Sequence, residues 1–392
     1  MDMGPAFLRG VHSRLKSAPG LRKLDALIIA ICFGVAVPLW LKTCKFLLWI
    51  RLAMIAATGG KPVVVVARYG AIGDIICTFP AVAELVRQNA GCPVIYVVRR
   101  SLKALVERSG VKVKVVAARN HLALPTKPAR LFKQSVYLCY PGEYVTGGYT
   151  PVRLTEGFAR CLGFADLSGQ PSLRVDRAKV EALRARYRPQ TGPPELNGPA
   201  IPQRAGMAQG RSSAPDRPMV LLHGGPTWAV KEWPLECWSR LAHRLKMELG
   251  CVVLQLVAAR NITVKSPVCE IIPGAEPVEC QDDICKLIHL VAAVDLLVGI
   301  DSGPIHVAGA VRTPCVALFG PTDPNLILSN RELATEVFHR VECSFCHHRY
   351  PRLHWKDGCP NGIKCMRELT VGQVFAAVAG ALTAPLVADG RR

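Results

Sequence analysis

The chain has 392 residues, half of them hydrophobic and a fifth charged, which suits large buried cores and excludes a mainly disordered chain. Lys plus Arg number 49 against 29 Asp plus Glu, a formal charge of +20, so an anionic partner is expected: a phosphorylated substrate, an acidic membrane or nucleic acid. Aromatic residues make up only 6%, too few for a base-stacking single-strand binder, and no C2H2 finger, basic heptad region or RNP-like motif is present, so no nucleic-acid partner is expected.

Residues 26–41 form a run of 16 uncharged, mostly apolar residues between Arg22, Lys23, Asp25 and Lys42. A full membrane span needs about 20. Apolar patches resume at 46–50 and 52–57, interrupted by Arg51. The run starts late and lacks the small-x-small site of a cleaved signal peptide. Residues 1–60 are therefore read as a basic, hydrophobic membrane-anchor segment. It is either a short span or an in-plane or re-entrant anchor kinked at Pro38, with a buried core helix as the alternative. Basic residues on both sides leave its orientation open.

Residues 63–67 are a β-branched run of the kind buried in a parallel sheet. Gly70-Ala-Ile-Gly73-Asp74 follows, then a helical pattern through Ala81, Val82, Leu85 and Val86. Residues 93–98 read as a strand, Ser101 as the cap of a helix through Val106, and 111–116 as a third strand. This alternation predicts a doubly wound α/β domain over 61–186. Residues 187–218, rich in Pro, Gly, Ser and Arg, read as a flexible linker. A second α/β domain over 219–340 starts with strand 219–223, helix 234–249 and strand 251–257. Helix 284–294, strand 296–300, helix 305–311 and strand 315–319 complete it. Residues 341–392 hold a cysteine-rich segment and a helix at 370–388, expected to pack back onto the first domain. Two such domains joined by a linker imply a crevice at the carboxyl ends of their sheets.

Of the 16 cysteines, most sit singly in apolar runs, as small buried hydrophobes do. A chain this long needs no disulfide staples, which favours a reduced, cytoplasmic body. Only Cys343, Cys346, Cys359 and Cys365 cluster, beside His347 and His348. They admit a structural zinc by ligand type, disulfides, or free thiols. The second pair is spaced too widely for a standard zinc ribbon, and free thiols are the preferred reading.

Three stretches carry chemistry. Gly70 and Gly73 let the backbone turn tightly, and Asp74 stands near a helix start, where a capping role is the plainer reading. The G-x-G-x-x-G spacing is absent. His223-Gly-Gly-Pro-Thr227-Trp-Ala-Val-Lys231-Glu-Trp233-Pro234 is a strand, a Gly-rich turn and a helix start. Backbone N–H groups, the Thr227 hydroxyl and the Lys231 ammonium there would suit a diphosphate. An ordinary loop with an exposed lysine is the alternative. Trp233 and Trp238 read as packing residues. In Gly299-Ile-Asp301-Ser302-Gly303-Pro304-Ile-His306, a helix N-terminus offers donors to an anion, and His306 lies one turn in.

Four ordered motifs then carry a resemblance: Gly73-Asp74 with Pro80, Lys231-x-Trp233-Pro234 with Trp238, Asp301-Ser-Gly-x-x-His306, and Phe319-Gly-Pro-Thr-Asp-Pro324. From Lys61 to the end, the linker excepted, the chain resembles glycosyltransferase family 9, the lipopolysaccharide heptosyltransferases. The resemblance implies an α/β GT-B fold, two Rossmann-like doubly wound domains, here with the N-terminal membrane segment added. Residues 61–186 would bind the acceptor and 219–340 the nucleotide sugar.

Asp74 is implied as general base for an inverting transfer, with Thr227 and Lys231 neutralising the leaving diphosphate. Asp301, Ser302, Gly303 and His306 would hold the donor's sugar and phosphates. No metal or other cofactor is implied, so Asp282 and Asp283 read as a helix-capping pair. The donor expected as substrate is ADP-heptose, and the acceptor an acidic, lipid-linked saccharide at the membrane. That acceptor would be drawn to Arg99, Arg100, Lys103, Arg119, Arg130 and Lys133. The catalytic domains would face the cytoplasm. Residues 257–263 lack the Gly-x-x-x-Glu segment that contacts the nucleoside in many members. The rivals are another GT-B activity, including epimerisation, and a non-catalytic, membrane-tethered nucleotide-sugar-binding protein.

Overall fold

The computed structural model describes residues 48, 50, 52, 54, 55, 62–118, 132–139, 152–165, 167, 169–188, 217–257, 269–280, 283–349 and 358–384. The apolar run 26–41, Arg119, Arg130, Asp282, most of the expected linker and residues 258–268 lie outside them. Among the described residues no helix is long and apolar enough to cross a membrane.

The chain forms two compact units: Met1–Tyr69, Asn89–Arg100 and Val113–Tyr137 in one, and Gly70–Gln88, Ser101–Lys112 and Leu138–Arg392 in the other. The first holds β1 (Val63–Ala67), β2 (Val94–Arg99), β3 (Lys114–Ala118) and β4 (Phe132–Tyr137). They form a parallel sheet of order β3-β2-β1-β4. Val63, Val65, Ala67, Ile95, Val97, Val116 and Phe132 share one buried face. Leu48 and Leu52, assigned from the sequence to the membrane segment, are buried in this same core. Their i, i+4 spacing puts both on one helix face, which the sheet's apolar surface covers.

The second unit begins with α1 (Ile72–Gln88) and α2 (Lys103–Glu107), and continues with α3 (Leu154–Cys161) and α4 (Arg177–Tyr187). Ser101 does not cap α2: it lies in a 3-10 turn, Arg100–Leu102, and the cap position is Leu102, with no side-chain bond. The unit's sheet contains β5 (Met219–His223), β6 (Val252–Val257), β7 (Glu276–Glu279), β8 (Leu296–Ile300), β9 (Cys315–Phe319) and β10 (Ala334–Phe338). All pairs are parallel, in the order β10-β9-β8-β5-β6-β7. α5 (Leu235–Leu249), α6 (Ile284–Ala293), α7 (Gly303–Val311), α8 (Pro324–Ile327), α9 (Cys346–Arg349), α10 (Lys364–Arg367) and α11 (Val371–Thr383) complete it.

The core of this unit joins Val220, Leu222, Leu296, Val298, Val316 and Leu318 to Trp238, Leu241 and Leu245 of α5. Val371, Val374, Val378 and Leu382 of α11 belong to the same core. α11 therefore packs on the six-stranded sheet, not on the first domain as expected from the sequence. Its apolar face repeats at i, i+3, i+7 and i+11 and is fixed at the start by a capping box between Thr370 and Gln373. Trp233 and Trp238 are packing residues, edge to face with ring centroids 5.1 Å apart, and Trp233 Nε1 donates to Leu369 O. Asp283 caps α6 by accepting from the N–H groups of Cys285 and Lys286.

Candidate active site

In an open parallel sheet, a crevice lies outside the carboxyl ends of the strands where their order reverses. In the six-stranded sheet that point falls between β5 and β8: β6 and β7 follow on one side of β5, β9 and β10 on the other side of β8. The loops leaving β5, β8 and β9 carry Thr227 and Lys231, Asp301 and Ser302, and Thr322 respectively. Three motifs far apart in the sequence thus meet by topology.

Asp301 is the anchor. It is 4% exposed, and its Oδ2 accepts from Lys231 Nζ and from Thr322 Oγ1, each at 2.6 Å. Burial pushes the carboxyl up, but the charge and hydrogen bond of Lys231 and the Thr322 hydroxyl outweigh it, so it stays below the usual carboxylate range. Asp301 is therefore committed to holding these two side chains. The Lys231 ammonium also stands 4.7 Å over the Trp228 ring. It carries three N–H donors, so this arrangement aims it and leaves capacity for an anion.

Thr227 sits in the turn after β5, where its N–H donates to Glu232 Oε1 at 3.0 Å. Ser302 is the cap residue of α7, and its hydroxyl donates back to Ile300 O at 3.2 Å. Gly303 is close-packed: a Cβ there would meet Ile72 Cβ at 2.9 Å. The N-termini of α7 and α1 therefore abut, both directing positive dipole ends to one place.

His306 joins the two halves of the site. A Cβ on Gly73 would stand 2.5 Å from its Cδ2 and 2.8 Å from its Nε2, so only glycine admits the ring against α1. Its Nδ1 faces Ser329 Oγ at 3.2 Å and Cys77 Sγ at 3.7 Å. Burial lowers its pKa; Asp301 and Asp74 oppose the shift and Lys231 adds to it, leaving the imidazole below its ordinary value. Asp74, Asp301 and Lys231 thus all lie within electrostatic reach of one ring. Asp74 is at the third position of α1, and its Oδ2 accepts from Ala71 N–H at 2.7 Å. Its side chain folds over Gly70, where a Cβ would stand 2.4 Å from Asp74 Cβ. The capping role expected from the sequence is present.

Of the remaining expected residues, Arg99 and Lys133 lie at the end of β2 and on β4, and Arg100 follows β2. Lys103 pairs with Glu107 on α2 at 3.3 Å. A cavity of about 340 Å³, lined by Pro80, Arg153, Thr155, Glu156, Gln170 and Ser329 among others, adjoins the site through Ser329. No disulfide joins the described cysteines, and among the described residues no group of three or more His, Cys, Asp or Glu is gathered to hold a metal ion. Cys343 and Cys359 pack with Cys346, Val230 and Trp228, while Cys365 joins the core of the six-stranded sheet. Its thiol is pushed up to about 11 by burial and by the three neighbouring thiols. The sequence does not mark Thr322, His347 or His348 for this site. Thr322 is one residue of the longer Phe319–Pro324 motif, and the two histidines stand among cysteines.

The fold and site define the class: an α/β protein of GT-B-like glycosyltransferase architecture with two parallel sheets. An iron-containing dodecameric glycosyltransferase, TibC from enterotoxigenic Escherichia coli H10407, has this fold, with a TM-score of 0.55 at 19% identity over 82% of this chain and 79% of that one. The ADP-heptose lipopolysaccharide heptosyltransferase II of E. coli has it too, with a TM-score of 0.53 at 13% identity over 82% and 98%. The profile of glycosyltransferase family 9 (heptosyltransferase) matches residues 158–355, half of the chain, and the chain belongs to that family. Lipopolysaccharide heptosyltransferase 2 of E. coli K12 is 33% identical over 126 residues, 29% of this chain and 34% of that protein. The chain matches about a third of the length of its curated relatives.

Proposed function

We propose that the chain is an inverting glycosyltransferase that moves heptose from ADP-heptose to a lipopolysaccharide-core or related lipid-linked acceptor. The observation that carries this reading is the position of His306, packed on Gly73 beside Asp74 and within reach of Asp301 and Lys231. One carboxylate and one ammonium, far apart in sequence, thereby serve one site. The acceptor hydroxyl oxygen attacks the anomeric carbon as its proton passes to Asp74. The bond from that carbon to the phosphate oxygen breaks, and its electron pair leaves on the nucleoside diphosphate, whose charge Lys231 and Thr227 neutralise. Ser302 and Gly303, at the N-terminus of α7, receive the donor's phosphates and sugar.

The choice of donor is supported by family membership and by TibC, which has been crystallised with ADP-D-β-D-heptose. This reading takes no cofactor beyond the nucleotide sugar, and the net charge of +20 suits an acidic acceptor at a membrane. A donor made in the cytoplasm puts the site on that side. Incubating the full chain with ADP-, GDP- and UDP-sugars and a lipid-linked acceptor, with mass analysis, tests the reading. Acceptor gaining one heptose from ADP-heptose is the expected product. Transfer of another sugar or an epimerised nucleotide sugar would replace it with another GT-B activity, and binding without turnover would leave a tethered binding protein.

A further inference from the structure

The cysteine-bearing segment is fastened to the site rather than appended to the fold. His347 N–H donates to Pro321 O at 2.8 Å, and Phe345 N–H to Gly320 O at 3.3 Å. Both acceptors belong to the turn that presents Thr322 to Asp301. A Cβ on Gly320 would stand 3.0 Å from Cys365 Sγ, so the turn is also backed by that thiol. His347 packs edge-on to Trp228, centroids 5.4 Å apart, and the same Trp228 ring faces the Lys231 ammonium. α9 and the residue before it are thus fastened both to the turn that carries Thr322 and to the Trp228 ring.

His348 is the residue this placement sets. Asp323 N–H donates to its Nδ1 at 3.0 Å. A backbone amide only donates, so Nδ1 carries the lone pair and the neutral ring keeps its proton on Nε2. Among the described residues nothing accepts from Nε2, since the other contact of the ring is the edge-on stack with His347. Burial favours the neutral ring, and the charges of Asp301, Asp323 and Lys231 all reach it. The result is an N–H donor oriented by Asp323, within electrostatic reach of the Lys231 ammonium.

We propose that α9 is a wall of the nucleotide-sugar site and that His348 donates Nε2–H to a phosphate oxygen of the nucleoside diphosphate. This rests on reading the Lys231 cluster as the donor site. The test is calorimetric binding of ADP, with UDP and GDP alongside, to the full chain and three variants. His348→Asn keeps an acceptor for Asp323 N–H but has no group that reaches the Nε2 position; His348→Gln reaches it with an amide N–H. Losing a hydrogen bond to a charged group weakens binding by about ten- to a hundredfold. His348→Asn is expected to show that loss and His348→Gln to recover to within about threefold of the parent. Parental affinity in His348→Asn, or equal loss in both variants, overturns the proposal. Lys231→Met separates the two ideas. If it abolishes binding while the His348 variants do not, only the inference about α9 fails. If the parent chain binds no nucleoside diphosphate, the donor-site reading fails and takes this inference with it.

Discussion

Replacing Lys231 by Met removes the ammonium from a buried pair. Asp301 is almost fully enclosed, and Lys231 Nζ is 2.6 Å from its Oδ2. After the substitution the carboxylate keeps only the Thr322 hydroxyl, also at 2.6 Å. Removing one partner of a buried ion pair costs roughly 3–5 kcal/mol, because the other charge stays buried. With an unfolding entropy of about 2.1 cal/mol/K per residue over 392 residues, this lowers Tm by roughly 4–6 °C.

The pH dependence separates this cause from lost packing. In the parent chain the Asp301 carboxyl lies below its ordinary value of 3.8. A depressed group stabilises the fold above its unfolded pKa and loses that contribution as pH falls through the folded value. Without the ammonium, burial dominates and the folded pKa rises above the unfolded one. The sign then reverses: the contribution is whole below the unfolded pKa and drains as pH rises through the new folded value. Urea midpoints between pH 4.5 and 8.5 measure both effects. The parent is expected to show no loss from this group, and Lys231→Met to lose up to about 1.4 kcal/mol per pH unit over its titration. A deficit under about 1 kcal/mol that does not change with pH would refute the coupling of Lys231 to Asp301.

Gly73→Ala should destabilise by roughly 1–3 kcal/mol in equilibrium denaturation, because its Cβ would stand 2.5 Å from His306 Cδ2. The gain of about 1 kcal/mol usual for Ala over Gly in a helix would contradict that packing. Thr370→Ala should cost about 1 kcal/mol by opening the capping box of α11. Since α11 lies in the core of the six-stranded sheet, denaturation of that unit should report the loss; an unchanged midpoint would argue against its placement.

The strands of both sheets were legible where the sequence packs β-branched and leucine residues without interruption, as at β1, β5, β8 and β9. The edge strand β7 was not, because Glu276–Glu279 contains Pro277 and buries only Val278; β10 likewise buries only Val337. β4 mixes Lys133, Gln134 and Ser135 with apolar residues and signals no face. The site motifs were visible because each falls at a strand end followed by glycine or proline. The use of Asp301 was not visible: a carboxylate at a helix start looks the same whether it holds a ligand or, as here, an ammonium and a hydroxyl. His348 was hidden by its neighbours, since two histidines among cysteines suggest metal ligation before they suggest a hydrogen-bond donor. Leu48 and Leu52 misled for a related reason. An apolar helix face reads alike whether lipid or a sheet covers it.

In the proposed reaction Asp74 takes the acceptor's proton, in a site whose donor end Lys231 and Asp301 would build. The decisive variant is Asp74→Asn, with single-turnover transfer from the nucleotide sugar and calorimetric nucleoside diphosphate binding measured on the same protein. Asparagine keeps an acceptor for Ala71 N–H, so the helix start is preserved. Transfer is expected to fall by about two to four orders of magnitude while diphosphate affinity stays within about twofold. Undiminished transfer, or a matching loss of affinity, would contradict Asp74 as the base.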